Sequence, residues 1–260
     1  MGIVNVTNDS FYDGGKYCAT DQAISQALQL IQDGADILDI GGESTRPGSD
    51  PVSIQEELIR VVPVIEEIRK KSSIPISIDT MKPEVAEAAI HSGATLINDV
   101  TGFRNPEMRS IAAKYELPIC VMHMQGSPKT MQANPHYPEG IVSHIVHWFE
   151  NQIELLLRSG IHKRNIILDP GIGFGKTVDD NLTIIHNLQK FRDVGFPILL
   201  GLSRKSFMYK TLGISPSDVL GTTIAMNTIG VLQGVEILRV HDVLEHRRVL
   251  DLLGVYLKKE

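Results

Sequence analysis

The sequence predicts an α/β fold: a single (β/α)8 TIM barrel over residues 1–260, with its active site at the C-terminal ends of the strands. Two observations carry this expectation. Eight short apolar runs, each suited to a buried strand, alternate with eight helical patterns along the chain. The polar residues able to do chemistry cluster just where those runs end, which is where such a barrel builds its site. A length of 260 residues suits one barrel, and no linker or shift of composition marks a second domain. A doubly wound open sheet is the alternative; eight regular units favour the closed barrel.

The elements follow in order. Residues 2–6 form the first apolar run, and the polar loop 5–15 after it is longer than most connections. Ile24, Ala27, Leu28, Ile31 and Ala35 recur at helical spacing over residues 21–34. A strand at 36–40 leads into a glycine-containing loop at 41–48 with Arg46 at its tip. Ser53-Ile54-Gln55-Glu56 matches a capping box and opens a helix with Leu58, Val61, Val62, Ile65 and Ile68 on one face. The third strand, 74–80, ends in Asp79 and Thr80. Pro83 suits the first turn of the next helix, with Val85, Ala88 and Ala89 on its apolar face and Gly93 at its end. The strand 95–99 ends in Asn98 and Asp99, and a short helix spans 106–115. The strand 118–123 ends in His123. A Pro-rich polar loop at 125–138 precedes an amphipathic helix at 140–159, bounded by Gly160. Residues 165–168 read as a strand ending in Asp169, followed by a helix at 180–193. The strand 196–203 runs into Arg204-Lys205-Ser206. Ser215-Pro216-Ser217-Asp218 carries a helix start, and the helix runs to about 232 with Gly221 and Gly230 available for close packing. The last strand, 236–242, precedes a helix whose apolar residues are Val243, Val249, Leu250, Leu252 and Leu253.

Composition narrows the function. Hydrophobic residues make up 42% and aromatic residues only 5%, so the core is aliphatic. The formal charge of −6, from 25 basic and 31 acidic residues, argues against a general nucleic-acid or anionic-membrane binder. Cys18 and Cys120 lie far apart without metal-ligand spacing and read as packing residues in a reducing compartment. No cationic start with an apolar run opens the chain, and no stretch approaches roughly 18 apolar residues. The expectation is a soluble cytoplasmic protein.

The stretch Asp169-Pro170-Gly171-Ile172-Gly173-Phe174-Gly175-Lys176 invites a phosphate-loop reading, which its spacing rejects. A Walker A loop needs Gly at 170, where Pro stands, and a Rossmann fingerprint needs Gly at 176, where Lys stands. The strand ends as a whole are more informative. They carry Asn5, Glu43 and Arg46 beyond Asp39, Asp79, Asn98, Met122 with His123, Asp169, Lys205 and His241, with Arg239 two residues before His241 on the same side of its strand. One such residue alone reads as structural; so many converging on one rim read as a site. Asp79, Asn98 and Asp169 are rich in acceptors and suit a planar ligand offering N–H donors, such as an aminopyrimidinone. Lys205 could donate to a carbonyl or ring nitrogen. Arg46, Arg239 and His241 suit a phosphate or diphosphate, and Asn5 and Asp13 offer hard oxygens to Mg²⁺.

Seven motifs, in order, resemble those of the dihydropteroate synthase family: Asn5-Val6-Thr7 with Asp9-Ser10-Phe11 and Asp13-Gly14-Gly15; Gly42-Glu43-Ser44-Thr45-Arg46-Pro47-Gly48; Ser77-Ile78-Asp79-Thr80; Ile97-Asn98-Asp99; Leu168-Asp169-Pro170-Gly171-Ile172-Gly173-Phe174-Gly175-Lys176; Ser203-Arg204-Lys205-Ser206; and Arg239-Val240-His241-Asp242. The resemblance covers nearly the whole chain. It implies condensation of 6-hydroxymethyl-7,8-dihydropterin diphosphate with 4-aminobenzoate, giving 7,8-dihydropteroate and diphosphate. It also implies roles. Asp79, Asn98, Asp169 and Lys205 would hold the pterin against Met122 and Phe174. Arg46, Arg239 and His241 would hold the diphosphate with Asn5. Asn5 and Asp13 would contact Mg²⁺, and Phe11, Thr45, Pro47 and Ser206 would frame the aminobenzoate. Asp13, Arg46, Lys205, Arg239 and His241 would carry the catalysis. The partners implied are the two small-molecule substrates and a second copy of the chain in a homodimer. Asn8 departs from the family, which usually has Pro there, so the first loop is less rigid at that point. A pterin-binding methyltransferase and a non-catalytic pterin-binding paralogue are the rivals. The first has less use for Arg46, Arg239, His241 and the Asp13 loop, and the second would have lost some of them.

Overall fold

The computed structural model describes residues 1–6, 15–46 and 48–258, and of residues 15–18 the backbone alone. Its strands are β1 (Gly2–Asn5), β2 (Leu38–Gly41), β3 (Ile76–Asp79), β4 (Leu96–Asp99), β5 (Ile119–Met122), β6 (Ile166–Asp169), β7 (Leu199–Leu200) and β8 (Ile237–Leu238). β1 to β6 pair in sequence order and in parallel, as do β7 and β8. Two parallel bridges, Leu168 with Ile198 and Gly2 with Val240, join these sheets at both edges. The ring therefore closes, and the open-sheet alternative falls away.

The strands are shorter than the apolar runs because several runs begin with proline. Pro75, Pro118 and Pro197 supply carbonyls to the N–H groups of Leu38, Ile97 and Leu168, but have no N–H to return. Asn165 lies in a 3-10 turn (Lys163–Asn165) and not in β6.

Alternation along each strand sorts the side chains. Ile40, Ile78, Ile97, Val121, Leu168, Leu200 and Val240 belong to the main core between strands and helices. The residues between them face the barrel interior. There Leu96, Cys120 and Leu199 pack with Ile37, Ile167 and Ile237 toward the strand N-termini. Two residues further along the same inward faces stand Asp39, Asn98, Met122, Asp169 and Arg239. The strand period of two thus converts an aliphatic floor into a polar rim.

The helices are α1 (Gly15–Gln32), α2 (Ile54–Lys71), α3 (Pro83–His91), α4 (Pro106–Tyr115), α5 (Ile141–Arg158), α6 (Val178–His186), α7 (Leu188–Arg192), α8 (Ser206–Leu212), α9 (Leu220–Leu232) and α10 (Val243–Leu257). Ser53 caps α2 by accepting from the Glu56 N–H at 3.2 Å. Thr177 and Asp180 form a reciprocal capping box on α6, so that helix starts earlier than its apolar pattern suggests. The helix expected at 180–193 is broken at Asn187, whose side chain donates to the Thr183 carbonyl at 2.9 Å. The expected start at Ser215 is a 3-10 turn (Pro216–Asp218) instead; Ser215 caps only that turn, and α9 begins at Leu220. α8 was not anticipated; Gly213, at φ +64°, ends it.

Gly230 presses α9 onto the barrel, where a Cβ would lie 2.7 Å from Leu200 Cδ2, whereas Gly221 faces open space. The expected apolar face of α10 is only partly used. Val243 is buried and Leu250 packs on the core, but Leu252 is 71% exposed. No helix among the described residues is long and apolar enough to cross a membrane.

Phe149 is fully buried and lies edge-on to Phe191 at 6.2 Å between centroids. Phe149→Ala should lower the unfolding free energy by about 3–5 kcal/mol, measured as a fall in the denaturant midpoint; an unchanged midpoint would show that α5 is not packed as described.

Candidate active site

The deepest polar contact in the barrel spans three strands. Arg239, just beyond β8, donates through Nε to Asp39 Oδ2 at 2.5 Å and through Nη2 to Asp79 Oδ2 at 2.7 Å. Asn98 Nδ2 donates to the same Asp39 oxygen at 3.3 Å. Asp39 is fully buried, and the second oxygens of both Asp39 and Asp79 are buried without a partner. Two buried, unpaired carboxylate oxygens beside a guanidinium are costly unless an incoming group supplies donors. Burial, reinforced by the Asp39 charge and opposed by Arg239, pushes the Asp79 carboxyl up to about 7. The two carboxylates in turn push the Arg239 guanidinium up, against the cost of its burial.

Asp169 closes the other side. It is 5% exposed, and burial raises its pKa although the Gly171 N–H donates to its Oδ1 at 2.7 Å. Lys205 Nζ lies 4.1 Å from the Phe174 ring centroid. Burial first, then Arg239, lower Lys205 to about 8. Phe174 and Met122 belong to one apolar cluster with Met81, Val100, Met124 and Met131, which forms a wall beside the carboxylates. Gly171, at φ +71°, lets the loop after β6 reach this wall: a Cβ there would sit 1.9 Å from the His123 carbonyl oxygen.

The outer arc is cationic and more open. His241 pairs through Nδ1 with Ser203 Oγ at 3.0 Å, while its backbone N–H donates to the same hydroxyl oxygen at 3.2 Å. Burial, then the Arg239 and Arg204 charges, lower its pKa to about 4, so the ring is neutral near pH 7. Arg46 is exposed on the loop between β2 and α2, and its charge acts on both Lys205 and His241. Arg204 is turned away in a two-point pair with Asp242. Asn5 ends β1 opposite Gly41. Thr45 and Ser206 are partly buried, Ser206 as the first residue of α8.

The structure thus brings Asp79, Asn98, Met122, Asp169, Phe174, Lys205, Arg239 and His241 together at the C-terminal ends of the strands, with the Arg46 charge acting on Lys205 and His241. Phe11, Asp13 and Pro47 lie outside the described residues. Among the described residues, no group of three or more His, Cys, Asp or Glu could hold a metal ion. Asp39 is the residue that the motifs undervalued: as an acid inside an apolar run, on the inward phase of β2, it had the signal of a site residue. Asp99 has the opposite fate. It accepts from Thr101 and the Phe103 N–H and shapes the loop after β4.

A closed barrel with acceptor-rich carboxylates at the strand ends, an apolar wall beside them and cations around them defines an enzyme site for a polar planar ligand bearing an anionic group. The profile of pterin binding enzymes matches residues 1–241, and the chain belongs to that family. It is 43% identical to the dihydropteroate synthase of Clostridium beijerinckii, over 100% of this chain and 94% of that protein. It is 42% identical to the dihydropteroate synthase of Bacillus subtilis, over 100% of this chain and 88% of that one. Among solved structures, Xanthomonas albilineans dihydropteroate synthase with 4-aminobenzoic acid superimposes with a TM-score of 0.93 at 39% identity, covering 98% of this chain and 92% of that one. The same enzyme in complex with 7,8-dihydropteroate gives 0.89 at 37% identity, covering 98% and 92%.

Asp39→Asn should lower the Asp79 pKa from about 7, because a neighbouring negative charge that raises it is removed. Carboxylate carbon NMR titration reads this directly; an unchanged or higher value would place Asp39 outside the cluster.

Proposed function

We propose that the chain is a dihydropteroate synthase, joining 6-hydroxymethyl-7,8-dihydropterin diphosphate to 4-aminobenzoate with release of diphosphate. The observation that carries the reading is the set of acceptor-rich side chains at the strand ends, Asp79, Asn98 and Asp169, with Lys205 and the wall of Phe174 and Met122 beside them. A pterin's adjacent ring N–H and amino group are donors that a carboxylate accepts as a pair. Asp79, Asn98, Asp169 and Lys205 read the ring, with Met122 and Phe174 as its wall. Arg239 spans the two halves of the site: two of its nitrogens hold carboxylates, and the third remains for the substrate. Arg46, His241 and Asn5 take the diphosphate, His241 as a neutral N–H donor. Phe11, Thr45, Pro47 and Ser206 frame the aminobenzoate.

The chemistry these groups support is a largely dissociative displacement. The C–O bond to the departing diphosphate breaks as Arg46, Arg239 and His241 meet the charge that develops on it. The pterin delocalises the positive methylene carbon, and the surrounding carboxylates favour that cation. The arylamine is neutral near pH 7, so its nitrogen attacks without a strong base, and the proton leaves after the C–N bond forms. Positioning and electrostatics supply most of the rate; no side chain needs to become covalently attached. Asn5 and Asp13 carry hard oxygens of the kind Mg²⁺ takes alongside substrate phosphates. Mg²⁺ bound there would neutralise part of the diphosphate charge. The loop carrying Arg46 orders on the diphosphate of the first substrate, so the pterin diphosphate binds before the aminobenzoate.

The protein acts in the cytoplasm as one barrel domain over residues 1–260, and as a homodimer. The dimer reading is supported by exposed apolar side chains on the neighbouring helices α9 and α10: Leu232, Leu252, Val255 and Tyr256. Leu252→Glu with Tyr256→Glu should give a monomer by light scattering; a variant that keeps the wild-type mass would move the interface elsewhere.

Diphosphate release should require both substrates, and aminobenzoate should bind measurably only when diphosphate or the pterin diphosphate is present. Tight pterin binding without turnover favours a non-catalytic binder. Equal aminobenzoate affinity with and without diphosphate removes the ordered sequence.

A further inference from the structure

Lys176 is the one strongly buried lysine in the loop after β6, and none of the roles above uses it. It is 3% exposed. Its Nζ lies 3.0 Å from His123 Nδ1, 3.2 Å from the His123 carbonyl oxygen and 3.0 Å from the Phe174 carbonyl oxygen. These are three acceptors for the three donors of an ammonium group. Filling space alone would favour an apolar residue, because burying a cation costs solvation.

The groups tied by this ammonium are those that shape the candidate pterin pocket. His123 follows β5, and its N–H donates to the Asp169 carbonyl at 2.9 Å. Gly171 is pressed against the His123 carbonyl, and its N–H holds Asp169 Oδ1. Phe174, whose carbonyl Lys176 holds, presents its ring to Lys205. Behind Lys176, the His123 ring lies edge-on to Trp148 at 5.1 Å and to His144 at 5.4 Å. Tyr137 donates to the Gly175 carbonyl at 2.6 Å and closes the back of the loop.

We infer that Lys176 is a positioning residue: its ammonium straps the end of β5 to the loop after β6 and so sets Asp169 and Phe174 at the spacing a pterin ring requires. The inference rests on the pterin reading of the site. It adds an electrostatic consequence. Burial lowers Lys176 to about 7, with Asp169 and Asp180 acting to raise it and Lys205 to lower it. His123 is itself held well below its usual range, by burial and then by Lys176, His144 and Arg104, and is neutral. As pH rises through about 7, Lys176 loses one of the three donors that hold His123 and Phe174, so the strap loosens and pterin affinity falls.

The test is Lys176→Met, compared with wild type by calorimetry with 6-hydroxymethyl-7,8-dihydropterin diphosphate and by steady-state kinetics. The folded variant should bind the pterin diphosphate about tenfold or more weakly, and kcat/KM should fall at least as far, since misplacing the groups that hold the ring weakens both its binding and its orientation. Its affinity should also lack the wild-type fall through about pH 7; Asp79 and Lys205 titrate in both proteins, so only the difference counts. Wild-type pterin affinity in the folded variant overturns the inference, as does a loss of kcat with unchanged KM, the mark of a smaller folded fraction. Should Lys176→Met not fold, His123→Ala and His123→Asn carry the test. Both lose the ring, but Asn places an acceptor near the position of Nδ1 and should bind the pterin diphosphate more tightly than Ala; equal affinities overturn the strap. Wild-type protein that neither binds the pterin diphosphate nor turns over removes the functional reading, whereas active wild type with an indifferent Lys176→Met removes this inference alone.

Discussion

One guanidinium between two buried carboxylates holds the functional end of this barrel together. Arg239 links β8 to β2 and β3 across the interior, and Asn98 brings β4 to the same Asp39 oxygen. Because the strands are parallel and in register, each inward residue is fixed by the ladder beneath it: Asp79 pairs with Gly41 and with Asn98. The buried charges cost solvation, which their mutual contacts offset, so that removing any one partner would leave the others uncompensated. These contacts fix Asp79 and Asn98 at the strand ends, which links the packing of the barrel to the site.

The rest of the rim works around this contact. Asp169 and Lys205 sit on the far side of the opening, and burial pulls their pKa values toward each other: the carboxyl rises and the amine falls to about 8. His241 is kept neutral beside Arg239 and meets an anion as a hydrogen-bond donor, leaving the positive charge to Arg46 and Arg239. Carboxylates and cations thus alternate around the strand ends, with Arg239 between Asp39 and Asp79 and Arg46 exposed on the loop after β2.

Much of this was legible in the chain because strand alternation and strand ends are local signals. Asp79, Asn98, Met122 and Asp169 end their runs, so counting from the apolar residues placed them at the rim. Asp39 was harder, since its meaning comes from Arg239, 200 positions away. The phosphate-loop tests turned attention from the glycines to Asp169. They could not show that Lys176 turns inward, because that depends on the His123 carbonyl of a different strand. The break at Asn187 escaped because the apolar residues on both sides continue one helical pattern, and α8 escaped because its seven residues are too few to show a period. The exposed apolar face of α10 looked like core because hydrophobicity alone does not say which surface will cover it.

The central claim is that buried carboxylates at the strand ends read a pterin. Equilibrium binding of 6-hydroxymethyl-7,8-dihydropterin diphosphate to wild type and Asp169→Ala, with thermal unfolding recorded on both, tests it most directly. Saturable binding by wild type and none by a variant that still melts cooperatively is the predicted result, because Asp169 stands at the rim and the aliphatic core beneath it is untouched. Wild-type affinity in the folded variant would contradict the account.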